Sequence, residues 1–339
     1  MSWIKNTVLN SALVLVSFII GLVLFEVFLE IDNKFKPVER IGVEIYGNSY
    51  GFLKSDSTAS PLAISKNERE LLVLGDSFTE GAVCAKDNAN FPSHLGKMHN
   101  SELKVVNLGV SGKNNADYVD FLEYFNISVG DVALITLYDN DIHISKKNCE
   151  QIIRQAENYD LYVPNFCSVD ESFVDKSNRS LLQKINNSIN KFKTVQLLKE
   201  SAAQIPSLQK YFYRNEYRNA WNEFGSEENK WLRSTLRVMQ EQMNSSLGSI
   251  IFTYYPNTNN ISENDQRHQI WKRFINYVRR NEGVEILDPY PYFIKNAPQK
   301  KMVWSLTDKH PNCAAHKIMA EFLGDHHVIK DKWSANFSK

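Results

Sequence analysis

Ser77 and His310, a hydroxyl and an imidazole far apart in the chain, are the side chains whose surroundings most directly suggest chemistry. The serine lies in Leu71-Leu72-Val73-Leu74-Gly75-Asp76-Ser77-Phe78-Thr79-Glu80-Gly81, where a strongly apolar, strand-like run breaks into small and polar residues. A hydroxyl at the carboxyl end of a parallel strand sits on the rim of the sheet, where ligands of open α/β sheets bind. The helix that follows can aim backbone N–H groups at an oxyanion. A plain strand-to-helix loop with Ser77 as a cap explains the same residues equally well, so the remaining chain has to decide.

The far end of the chain supplies a base. Thr307-Asp308-Lys309-His310-Pro311-Asn312-Cys313-Ala314-Ala315-His316 runs into Lys317 to Leu323, which reads as a helix with its apolar positions on one face. A serine hydroxyl is a poor nucleophile until a base takes its proton, and an imidazole needs a carboxylate to fix its tautomer and stabilise its charged form. Asp308 and His310 can do this as neighbours on one loop. Of the eight histidines, His310 stands out through the proline and asparagine that follow it and the aspartate two residues before. His316, inside the predicted helix, reads as structural.

With these residues in view the sequence resembles the SGNH or GDSL hydrolase superfamily, over roughly Leu71 to Leu323. Four blocks carry the resemblance in the family's order: Gly75-Asp76-Ser77-Phe78, Val105-Val106-Asn107-Leu108-Gly109-Val110-Ser111-Gly112, Tyr138-Asp139-Asn140-Asp141, and Asp308 to Asn312. The resemblance implies Ser77 as nucleophile, His310 as base and Asp308 as the group orienting it. It also implies an oxyanion hole built from the backbone N–H groups of Ser77 and Gly112 and the side-chain amide of Asn140. It implies no metal or organic cofactor. Glycine lets a backbone approach a ligand closely, and an amide is a donor without charge, so the set makes chemical sense by itself. Two departures stand out. Asp139 occupies the place where the family usually has glycine, altering the turn or adding a negative charge near the site. Asp308 lies two residues before the histidine where three is usual, a spacing shared with relatives that resemble alginate acetyltransferases. Each block also has a plain structural reading: Gly112 in a tight turn, Asn140 capping a helix, Asp308 as N-cap of the last helix.

The elements that must position these residues follow from the apolar runs. Strands are expected at Glu70 to Leu74, Lys104 to Asn107, Val132 to Tyr138, Ser249 to Tyr254 and Val284 to Asp288, alternating with helices. That pattern gives an α/β fold, a three-layer α/β/α arrangement with a flavodoxin-like parallel sheet. Residues 67–330 make up this domain, with a helical insertion at about 145–248. Inside that insertion Leu232, Leu236, Met239, Met243 and Leu247 trace one helix face, read as a core-facing stripe. Tyr211-Phe212-Tyr213, Tyr217, Trp221 and Phe224 read mostly as core, with a lid or sugar-stacking wall as the alternative. Residues 31–66 form a lead-in with Gly and Ser breaks around Tyr46 to Gly51.

Residues 1–30 stand apart. From Val8 the chain is apolar to Phe25, with Val27, Phe28 and Leu29 beyond Glu26, and about 20 such residues suffice to cross a bilayer as a transmembrane helix. No small-residue cleavage motif follows, which favours an uncleaved anchor over a signal peptide. Lys5 on one side and Lys34, Lys36 and Arg40 on the other leave charge counting indecisive on orientation. The resemblance implies a single-pass protein of the inner (cytoplasmic) membrane with its domain periplasmic or extracellular. In such an oxidising compartment Cys149 and Cys167 can pair, while Cys84 and Cys313 are expected as buried small side chains.

The chain has 339 residues, 43% hydrophobic, with 39 basic and 39 acidic side chains, enough for one large domain and without a disorder signature. No basic run interleaved with aromatics appears, which argues against nucleic acid as a partner. The expected activity is acyl-ester chemistry on an acylated carbohydrate or lipid. Hydrolysis is the first reading, and transfer of acetyl groups received from a membrane acyltransferase is the second. A catalytically silent scaffold or glycan-binding module is the reading from another class.

Overall fold

The computed structural model describes residues 17, 20–26, 40–45, 48–53, 70–85, 88–98, 104–125, 131–142, 148–167, 226–246, 248–258, 261–263, 265–297, 302–304 and 310–326. Residues 1–35, 171–216 and 305–309 form one unit, and residues 36–170, 217–304 and 310–339 form a second. In the first unit, residues 20–26 are helical and carry exposed apolar side chains, among them Ile20, Val23 and Leu24. The rest of the expected membrane span lies outside the described residues, as do Leu247 and the aromatics from Tyr211 to Phe224. Among the described residues, no helix is long and apolar enough to cross a membrane.

The second unit contains an antiparallel hairpin, β1 (Arg40–Ile45) and β2 (Asn48–Leu53), where the sequence suggested only a broken lead-in. Its centre is a five-stranded parallel sheet of β3 (Glu70–Gly75), β4 (Lys104–Gly109), β5 (Val132–Leu137), β6 (Ser249–Tyr254) and β7 (Ile286–Leu287). The strand order is β4-β3-β5-β6-β7. The helices are α1 (Ser77–Glu80), α2 (Ala82–Ala85), α3 (Phe91–Met98), α4 (Asn115–Tyr124), α5 (Cys149–Asn158), α6 (Glu227–Ser245), α7 (Gln266–Asn281), α8 (Tyr290–Asn296) and α9 (Cys313–Asp325).

Strands covered on both faces need not alternate apolar with polar, and β3 and β5 are buried along their whole length. Successive side chains still point to opposite faces. Leu72 and Leu74 join Val106, Ala133 and Ile135 beneath α4, α6 and α7. Leu71 and Val73 join Val105, Val132 and Leu134 beneath α3, α8 and α9. The result is the expected three-layer α/β/α arrangement. The stripe Leu232, Leu236, Met239 and Met243 is fully buried on the first face, so this helix of the expected insertion covers the sheet.

The order of the strands sets where a ligand can go. The first sheet strand, β3, lies between β4 and β5, so the chain leaves it in one direction and later returns to extend the sheet in the other. In flavodoxin-like order the crevice opens at this switch point, between the carboxyl ends of β3 and β5. Ser77 follows β3 and Asn140 follows β5.

His316 belongs to the layer of α9 as a structural residue. It is fully buried beside the rings of Phe91 and Tyr255, and neither ring nitrogen has a hydrogen-bond partner among the described residues. Burial, helped by the nearby His94 and His310, holds its imidazole down at about 3, against an ordinary 6.5. Folding therefore favours the neutral ring. The stability it permits is complete above 6.5 and is lost as pH falls through the interval towards 3, on the order of 5 kcal/mol in all. Urea unfolding of His316→Phe should show stability at pH 7 equal to or above that of the wild type, because no hydrogen bond is lost, and a flatter acid limb. A loss above ~2 kcal/mol at pH 7 would show that the ring nitrogens are engaged.

Candidate active site

The serine is placed by a single turn of helix. Asp76, buried and extended in backbone conformation, accepts the N–H of Phe78 at 2.9 Å and so caps α1, leaving Ser77 as its first residue. The cap is thus Asp76, and the Ser77 hydroxyl is available for another partner. That partner is His310, whose Nε2 lies 2.8 Å from Ser77 Oγ across 233 residues of sequence. This is within the 2.6–3.2 Å reach needed for a base to take a proton.

His310 is held by its backbone on both sides. Val303 and Pro311 form an isolated antiparallel bridge, in which Trp304 N–H donates to His310 O at 2.8 Å and Asn312 N–H donates to Met302 O at 3.0 Å. Met302 N–H in turn donates to Thr258 O, in the loop after β6. Asn312 then caps α9, accepting from Ala315 N–H at 3.0 Å. The capping role that Asp308 was offered as an alternative therefore falls to Asn312. Asp308 itself lies outside the described residues.

The nucleophile turn packs backbone to backbone on the end of β4. A Cβ at Gly109 would lie 2.2 Å from Glu80 N and 2.6 Å from Thr79 C, contacts no side chain can occupy. Only glycine admits this approach. Beyond it, Val110 N–H donates to Gly75 O at 3.0 Å, and the chain turns through Ser111 and Gly112, which has φ +77° and open space around it. Gly112 is exposed and lies after β4, beside the strand that delivers Ser77.

The third loop is the 3-10 turn Asp139–Ile142 after β5. Asn140 is in it, and its side chain is outside the described residues. Asp141 builds the turn: it is fully buried and accepts from Tyr138 N–H at 2.8 Å and from Tyr118 OH at 3.1 Å. Burial, with the Asp76 carboxylate close by, pushes Asp141 well above the usual carboxylate range. Asp139 is engaged with α7. Its carboxylate accepts from Trp271 Nε1 at 2.8 Å and lies 3.7 Å from the Arg267 guanidinium, tying the turn to α7. Aromatic rings wall the serine: Phe78 stacks on Tyr138 at 3.6 Å and lies 5.2 Å from the His310 ring.

A disulfide joins Cys84 and Cys313, correcting the expectation that both are merely small buried side chains. It ties α2, seven residues after Ser77, to the first turn of α9, three residues after His310. The Cys149–Cys167 bond is present as well. The pairing of Cys84 with Cys313 gave no spacing signal, because it joins residues 229 apart. Two further residues support the site: Asp141, the last residue of the third block, and Glu80, two residues beyond the first. Neither has a local sequence signal that sets it apart from an ordinary loop or helix carboxylate.

Replacing Cys84 and Cys313 together by alanine should cost about 2–5 kcal/mol in urea unfolding. Cys149→Ala/Cys167→Ala should cost less, because the loop it opens is far shorter. Gly109→Ala should destabilise at least as much as a typical overpacked core position, ~1–3 kcal/mol, with the displaced α1 detectable as a loss of Ser77 labelling by a fluorophosphonate.

No family model matches the chain, and no curated protein matches it in sequence. Solved structures do match. A lipolytic protein of the G-D-S-L family from Desulfitobacterium hafniense aligns at 14% identity over 76% of this chain and 98% of its own, with a TM-score of 0.37. A member of the same lipolytic family from Veillonella parvula aligns at 13% over 75% and 95%, with a TM-score of 0.38. A catalytic mutant of an acetylxylan esterase from Geobacillus stearothermophilus aligns at 16% over 76% and 94%, with a TM-score of 0.37. Each of these alignments covers about three quarters of the chain.

Proposed function

We propose that the protein is a serine-dependent acyl-ester hydrolase acting on O-acetyl groups of a carbohydrate or another cell-envelope molecule. The observation that carries this reading is the 2.8 Å contact between His310 Nε2 and Ser77 Oγ. Ser77 Oγ attacks the ester carbonyl carbon while His310 takes its proton. The C–O bond to the alcohol then breaks, and His310 returns the proton to the leaving oxygen. Water, deprotonated by the same imidazole, attacks the acyl-enzyme and releases the acid and Ser77. The oxyanion of both steps is held by the N–H groups of Ser77 and Gly112 and the amide of Asn140, and Asp308 orients His310.

The setting supports an envelope substrate. Two disulfides suit an oxidising compartment, and the apolar amino-terminal run suits a tether to the inner (cytoplasmic) membrane with the domain outside it. The half-buried ring of Tyr138, backed by the buried Phe78 next to Ser77, suits an apolar contact with a small acyl group or a sugar face.

On p-nitrophenyl acetate, the protein from Ile31 onward should turn over, and Ser77→Ala should abolish this turnover. Asn140→Ala should lower kcat by 10²–10³, about 2.7–4 kcal/mol of transition-state stabilisation, and leave residual activity. Turnover that persists in Ser77→Ala would overturn the serine mechanism, and its absence in the wild type would favour a non-catalytic module. Adding an oligosaccharide acceptor and weighing the products separates the outcomes. Acetate alone is expected for a hydrolase, whereas acetylated sugar would make the protein an O-acetyltransferase served by a membrane acyltransferase.

A further inference from the structure

Glu80 is the third residue after Ser77, on the same turn of helix, and its side chain is fully buried. Its Oε2 accepts the backbone N–H of Ser111 at 3.1 Å and also the Ser111 hydroxyl. Ser111 and Gly112 are themselves exposed, at the tip of the turn after β4. That turn is otherwise held at its base, by Val110 N–H on Gly75 O and Lys113 N–H on Val110 O at 3.2 Å. A buried carboxyl group is costly unless its oxygens are hydrogen-bonded, so the fold has to keep the bonds from Ser111. The grip therefore restrains an exposed turn from within the protein.

We propose that Glu80 is the positioning residue for the second oxyanion donor, holding the Ser111–Gly112 turn so that the Gly112 N–H faces the Ser77 hydroxyl. This rests on the ester-hydrolase reading and extends it to a side chain that does not touch substrate. One short helix then carries both the nucleophile and the clamp on its oxyanion donor. Ser77 and Gly112 keep their separation because both are fixed to α1, which is itself seated on the ends of β3 and β4. An oxyanion donor displaced by a fraction of an ångström loses most of its value, since the stabilisation depends on preorganised donors.

The test uses the full chain with three readouts: kcat and KM for p-nitrophenyl acetate, affinity for a trifluoromethyl ketone, whose adduct with Ser77 carries an oxyanion, and the number of competent sites from fluorophosphonate labelling taken to completion. Glu80→Ala should lower kcat per labelled site 10- to 100-fold with KM within twofold, and ketone affinity should fall in parallel. Glu80→Gln, which keeps an acceptor oxygen, should recover part of both, and Ser111→Ala should lose only part. A purely structural Glu80 would reduce the number of labelled sites or the melting temperature while kcat per site and ketone affinity stayed at wild-type values, which overturns the proposal. Should Glu80→Ala fail to fold, unchanged kcat and ketone affinity in both Glu80→Gln and Ser111→Ala overturn it instead. A wild type without Ser77-dependent turnover removes the ester reading and this one together. Normal wild-type turnover with unaltered Glu80 variants removes this one alone.

Discussion

The backbone of Thr79 and Glu80 lies directly on the end of β4, at a distance that leaves no room for even a methyl group at Gly109, and the site geometry follows from that contact. It fixes the height and tilt of α1 above the sheet, and hence where the Ser77 hydroxyl points. It also brings the Glu80 side chain within reach of the turn after β4. Asp76 completes the arrangement from the other side by capping the helix from within the core. A nucleophile on so short a helix has little intrinsic support, since one turn makes few hydrogen bonds of its own. Its rigidity comes from the two strands it bridges.

Around this turn the protein concentrates buried carboxylates. Asp76, Glu80 and Asp141 are fully buried near the sheet's carboxyl rim, and Asp139 nearly so. These four carboxyl groups tie the rim together: Asp76 accepts from α1, Glu80 from the turn after β4, Asp141 from Tyr138 at the end of β5, and Asp139, itself in the turn after β5, from α7. Loops at strand ends lack the ladder hydrogen bonds that hold strands, and hydrogen bonds to buried carboxyl groups substitute for them. The cost shows in Asp141, which burial and the Asp76 charge hold well above the usual carboxylate range.

His310 is held by different means, because it arrives from the far end of the chain. A bridge to residues 302–304, the Asn312 cap and the Cys84–Cys313 bond fix its backbone. The disulfide makes a short covalent route between the serine and the histidine, parallel to their hydrogen bond. Closing so long a loop in the unfolded chain is where a cross-link contributes most in the chain-entropy account.

The sequence by itself determined the five strands of the parallel sheet, the last of them shorter than expected at Ile286–Leu287, and the order of the four blocks, but not the β1–β2 hairpin. A parallel strand buried on both faces must be a continuous apolar run, and Leu71 to Leu74 and Val132 to Leu137 can be little else. It also singled out Ser77 and His310, because a small polar break after such a run and a histidine framed by aspartate, proline and asparagine are local patterns. Only the tertiary structure decided which polar residues support them. Glu80 on the Ser111 turn, Asp139 on Trp271 and Arg267, and Cys84 on Cys313 are pairings across 31, 132 and 229 residues. Nothing in the neighbourhood of either partner encodes such a pairing. The separation of Ser77 from His310 is likewise set by how α1 and α9 pack on the sheet, since contact over 233 residues is a property of the folded layers and not of either motif.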